Sequence, residues 1–164
     1  MFTRLFKYKS WANDELLTAL EALDPVARQS ELHAAIRIFN HAHVVDRIFA
    51  AHLSRSSHPY TDTNTAETPS LEALREAVAT SDQWYVDHVG RMTPALLSES
   101  ISFTFTDGGH GRMTREEMLI HVVTHGGYHR GAIGRILAQL SIAPPRDVFT
   151  GYLHQSEPSR RERA

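Results

Sequence analysis

The chain has 164 residues, 41% of them hydrophobic, which suits a single domain with a substantial core. Seventeen basic against nineteen acidic side chains leave a formal charge of -2, so there is no large positive field for a nucleic-acid backbone, and no nucleic-acid partner is expected. Cysteine is absent, which excludes disulfides, thiolate ligands and a protein-borne thiol nucleophile; any bound metal must be held by nitrogen or oxygen.

Leu5, Tyr8, Trp11, Leu16, Leu20 and Leu23 recur at mainly helical spacing, and Asp24-Pro25 marks the end of a first helix. Ser30 is the expected cap of a second helix, whose stripe Ile38, His41, Val45, Ile48, His52 advances by alternating steps of three and four. Residues 54 to 70 are rich in Ser, Thr, Pro, Asn and Asp, which favour turns, and form a connecting loop. Ser70 opens a third amphipathic helix carrying Leu71, Leu74, Val78 and Trp84 or Tyr85, with Gly90 near its end.

Ile101 to Phe105 alternates apolar and hydroxyl side chains and runs into Asp107-Gly108-Gly109, the pattern of a strand entering a tight turn. Thr114-Arg115-Glu116-Glu117 is a capping box that starts a fourth long helix. Its stripe is Met118, His121, Val122, His125, His129, Ile133, Ile136, Leu137 and Leu140, ending before Pro144-Pro145. Four long helices with short connections predict an all-α fold, an antiparallel four-helix bundle with a short β-hairpin before the last long helix. The domain is expected to span 1–153, with 154–164 a mobile tail. Met1 to Tyr8 shows no signal-like apolar run, and nowhere do roughly 18 uninterrupted apolar residues occur, so a cytoplasmic protein without a membrane partner is expected.

His121, His125 and His129 stand at successive four-residue intervals. Neighbouring members share one helix face about 6 Å apart along the axis, close enough for two rings to hold one ion; the outer two, about 12 Å apart, do not share an ion without helix distortion. His125 belongs to both pairs, and spacing leaves open whether His121 or His129 completes the set. A further ligand must come from elsewhere. His41 is the choice, because it lies on the second helix's apolar stripe, whereas His43 shares a face with Asn40, Asp46 and Arg47. Three imidazoles leave a position open on a borderline divalent cation, as catalysis requires. No HExxH sequence is present, which disfavours a zinc protease. Gly126, Gly127 and Gly131 each weaken the helix, so packing or ligand approach must offset their cost.

Together these segments resemble the DinB/YfiT-like family of metal-binding four-helix-bundle proteins. Tyr8-Lys9-Ser10-Trp11-Ala12-Asn13 is similar to the family's N-terminal pattern. Asn40-His41 followed by Asp46-Arg47 and Phe49 is similar to that of its second helix. His125-Gly126-Gly127-Tyr128-His129-Arg130-Gly131 resembles its fourth-helix signature, and Pro145-Arg146-Asp147 with Tyr152 its ending. The resemblance implies His41, His125 and His129 as the metal ligands and makes His121 a neighbour of the site. Tyr128 and Arg130 are assigned packing or surface roles. Ala132 departs from a common Gln, and Phe49 from a common Trp.

The resemblance also implies a divalent metal, zinc or nickel, and a low-molecular-weight thiol cosubstrate transferred to a small electrophilic molecule. The alternatives are hydrolysis through metal-bound water and noncatalytic binding of a metal or small ligand. A homodimer is expected from the resemblance and from the first helix's aromatic residues Phe2, Phe6, Tyr8 and Trp11.

Overall fold

The computed structural model describes residues 1–161, a mostly helical chain with one small antiparallel sheet. Four long helices dominate: α1 (Phe2–Glu21), α2 (Gln29–Ser54), α3 (Leu71–Gly90) and α5 (Arg115–Gln139). Between α3 and α5 lie the single turn α4 (Pro94–Leu97) and the hairpin β1 (Ser100–Thr104) with β2 (His110–Thr114), in the register Ser100 to Thr114. A last helix, α6 (Phe149–Ser156), precedes a 3-10 turn at Pro158–Arg160.

The starts of α3 and α5 follow local chemistry. Ser70 accepts a bond from the Ala73 amide at 3.1 Å. At Thr114 both halves of the capping box form, the Glu117 amide donating to the Thr114 hydroxyl at 3.1 Å and the Thr114 amide to the Glu117 carboxylate at 2.7 Å. Ser30 is not the cap of α2. It lies inside the helix, and the chain turns earlier, where the Asp24 carboxylate accepts from the amides of Val26 and Ala27.

Two apolar clusters fill the interior. One gathers Phe6, Phe49, Leu53, Tyr85, Val89, Met118 and Val122; the other gathers Leu16, Leu20, Ile36, Phe39, Leu74, Val78, Ile133 and Leu137. The order in which each helix visits them gives its direction. α1 and α5 run from the first cluster to the second, α2 and α3 from the second to the first. Hence α1 packs antiparallel to α3 and α2 antiparallel to α5, while α2 and α3 are neighbours pointing the same way.

That last relation corrects the expectation of uniformly short, reversing connections. Residues 55–70 must travel back along α2 before α3 can start. Extended, they reach about 50 Å, enough for the about 39 Å axis of a 26-residue helix. Their course is marked by contacts with α2: the His58 ring lies 5.4 Å from that of His52, and the Arg37 guanidinium donates to the Thr65 carbonyl at 2.6 Å.

α6 was not anticipated. It lays Phe149 and Tyr152 against α1, with ring centroids 5.4 Å from Tyr8 and 5.7 Å from Trp11 respectively. Phe6 is buried in the core. The aromatic residues of α1 named as an association surface are therefore packed within the chain, with Phe2 against the first cluster. The boundary expected at 153/154 falls inside α6, and Arg160 pairs with Glu157. The end of the expected tail, 162–164, lies outside the described residues. Among the described residues no helix is long and apolar enough to cross a membrane.

Candidate metal centre

His41 projects from the middle of α2, and His125 and His129 from successive turns of α5, the helix packed antiparallel against it. The Nε2 atom of His125 lies 3.2 Å from that of His41 and 3.1 Å from that of His129. One ligand atom from each of the three lies within 4.8 Å of the others. Two nitrogens bound tetrahedrally to zinc at 2.0–2.1 Å stand about 3.3 Å apart, so the observed spacings are close to those of a chelate.

The hydrogen bonding favours a cation at this point. His41 Nδ1 meets the Thr63 carbonyl at 2.8 Å and must donate to it, leaving Nε2 with its lone pair. His125 Nδ1 is buried with no partner among the described residues. A neutral His125 protonated there would aim a second lone pair at His41; protonated at Nε2, it could serve His41 or His129 but not both. A bound cation satisfies all three. The residues therefore fit a nitrogen-ligated divalent metal.

The electrostatics agree. Burial, followed by the positive charge that His129, His121 and His41 would carry, pushes the pKa of His125 down to about 3. Burial first and His41 second also lower that of His129. Both side chains thus keep unprotonated nitrogens at neutral pH.

His121 stacks on His125 at 5.1 Å between centroids and lies 4.6 Å from the Phe49 ring. It stands outside the three-nitrogen group. His43 points elsewhere, toward Lys9, and burial with the nearby Lys9 and Arg47 charges lowers its pKa to about 4. Tyr128 is 76% exposed. Ala132 is exposed as well.

A second polar group adjoins the imidazoles. Lys9 is 1% exposed, and its ammonium contacts Asp46 at 2.6 Å and Asp82 at 2.7 Å. Burial opposes that charge, but the two carboxylates outweigh it and raise the Lys9 pKa. Asn13 donates to Asp82 at 2.8 Å and accepts from Arg130 at 2.9 Å; Arg130 also pairs with Asp147. His129 shares a small cavity with Lys9, His43, Asp46 and Arg130, so cluster and ion network are neighbours. Of the packing or surface roles expected for Arg130, the buried one is observed; Lys9 and Asp82 did not stand out in the sequence, and Asn13 did so only as the end of the N-terminal family pattern. A signal was present: Phe6, Lys9, Asn13, Leu16 and Leu20 form one stripe at steps of three and four, as do Val78, Asp82 and Tyr85.

Gly126 lies at the junction. A Cβ there would stand 3.1 Å from the Arg130 guanidinium and 3.5 Å from Lys9 Cε, so its lack of a side chain admits both cations.

Comparison with known proteins gives matching results. The model of the DinB family matches residues 1–162. A protein called Protein DinB from Bacillus subtilis (strain 168) is 21% identical over 164 residues, with 94% of each chain covered. No solved structure matches.

Proposed function

The chain belongs to the DinB family, and from that premise we propose that His41, His125 and His129 hold a divalent cation, zinc or nickel, for the transfer of a low-molecular-weight thiol to a small electrophilic molecule. The observation that carries the metal is the meeting of three Nε2 atoms, two of the spacings being 3.1 and 3.2 Å. The thiol rests on the family resemblance and on a chain with no cysteine of its own. Bound there, the cation would supply Lewis acidity, favouring the thiolate of a coordinated thiol at neutral pH.

The remaining work falls to the side chains. His125 and His129, one turn apart on α5, keep their lone pairs available because burial disfavours protonation. His41 is turned to present Nε2 by its bond to the Thr63 carbonyl. Phe49 and the His121 ring border the cluster with apolar and weakly polar surface that limits water. We further take α1, α2, α3 and α5 as a four-helix bundle with a long crossover between its second and third members. A single domain, a cytoplasmic setting where such thiols stay reduced and, on the family resemblance alone, a homodimer complete the proposal.

Metal-loaded protein incubated with a reactive electrophile should form conjugates that depend on an added thiol, across a panel of such thiols. His125→Ala should abolish both zinc uptake and conjugation, while His154→Ala, an exposed imidazole, should retain both. Products that form without thiol would indicate hydrolysis. A metal-loaded protein with no turnover in any combination would leave only binding.

A further inference from the structure

The crossover loop reaches the candidate ligand set through the Thr63 carbonyl, which lies 2.8 Å from His41 Nδ1. Beside the Arg37 guanidinium on the Thr65 carbonyl, a clasp of two asparagines holds the Thr63 carbonyl in place. Asn40, 4% exposed and one residue before His41, donates from its amide to Asn64 Oδ1 at 2.6 Å and to Thr65 Oγ1 at 2.7 Å. Asn64 returns the contact, its amide donating to the Arg37 carbonyl at 3.0 Å. Asn64 Oδ1 also accepts from the Thr65 amide at 3.0 Å, so the side chain both tightens the loop and ties it to α2. Residues 63–65 are thereby fixed against the turn of α2 that carries His41.

We propose that Asn40 and Asn64 are positioning residues for His41: by clamping the loop they set the Thr63 carbonyl on Nδ1, and so select the tautomer whose Nε2 faces His125 and His129. A neutral imidazole has one N–H, and the bond made by one nitrogen decides which lone pair remains. Released from the carbonyl, the ring would be free to carry its proton on Nε2, where it blocks coordination. It would also be free to rotate. Loss of such an orienting partner typically costs 10–100-fold in metal affinity. This inference rests on the assignment of the three-histidine cluster as a metal site, but the tautomer can be read without any metal.

Asn64→Ala is the informative variant, because Asn64 lies on the loop and its loss leaves the helices intact. Two measurements are made on it and on the wild type: the His41 tautomer by long-range proton–nitrogen correlation in metal-free protein, and zinc affinity by competition with a chromogenic chelator. The wild type should show His41 protonated at Nδ1. Asn64→Ala should show a mixture of tautomers and bind zinc about 10–100-fold more weakly. Thr65→Val, which removes one of the two acceptors for Asn40, should shift both readings the same way by less. An unchanged tautomer in Asn64→Ala overturns the proposal, because a clasp that only folds the loop would not move it. So does an altered tautomer with unaltered zinc affinity. Should wild-type protein take up no zinc, the metal assignment fails, and the tautomer comparison alone decides for or against the clasp.

Discussion

A histidine that folding has made hard to protonate lowers stability in acid, and this chain has two marked cases. His43 is pushed down to about 4 and His125 to about 3, in both chiefly by burial, against about 6.5 in the unfolded chain. Between those limits each of these two rings binds protons more readily in the unfolded chain than in the folded one, a difference that buried Asp46, pushed up to about 6, offsets only in part. Stability therefore rises with pH across this window and is lost as pH falls from about 6.5 toward 4. Thermal melts of metal-free protein in chelator should show a falling Tm over that range, and His43→Ala should flatten the slope. A Tm independent of pH between 6.5 and 4.5 would contradict the placement of these rings. At this scale the sequence was partly legible. His41 announces itself as an imidazole on an apolar stripe, but the meeting of its ring with those of α5 is a property of helix packing. Lys9 and Asp82 were missed because a charged side chain is usually a solvated one, and only their place on a core stripe says otherwise.

The glycines of α5 divide by what surrounds them, and element-level energetics follow. Gly131 is exposed and a Cβ on it meets nothing within 4 Å, so Gly131→Ala should stabilise by about 0.5–1 kcal/mol through helix propensity and a less flexible unfolded chain. At Gly126 the same change presses on Arg130 and Lys9 and should bring no such gain. Urea denaturation of the two variants measures the contrast; equal stabilisation at both would show that the close approach at Gly126 is unimportant. Local signals specified the element starts at Ser70 and Thr114 and the hairpin, because a cap or a tight turn depends on a few adjacent residues. The direction of α3 was not local. It depends on where a flexible-looking stretch of loop is anchored, and those anchors, Arg37 and Asn40, are on another helix. α6 was hidden behind Pro144-Pro145, which stop α5 without forbidding a new helix farther on.

For the whole molecule, a cation held between α2 and α5 would make stability depend on its concentration, since the unfolded chain does not assemble the three nitrogens. At a free zinc level 100-fold above Kd the gain is about 2.7 kcal/mol, or about 5–10 °C in Tm for a chain of this size. Differential scanning calorimetry with zinc and with chelator tests this; superimposed melts would argue against a site in the native state.

The buried charges around Lys9 draw one member from each long helix: Lys9 on α1, Asp46 on α2, Asp82 on α3 and, joined through Asn13, Arg130 on α5. Greasy surfaces alone tolerate sliding, because leucine meets leucine after a shift of one turn almost as well as before. An ammonium that must find two carboxylates does not. Displacing any of these helices by a turn, or docking it upside down, strands a charge away from water at a cost of several kcal/mol. The belt of ions thus acts as an alignment key, and the alignment it enforces is the one that brings the imidazoles of α2 level with those of α5.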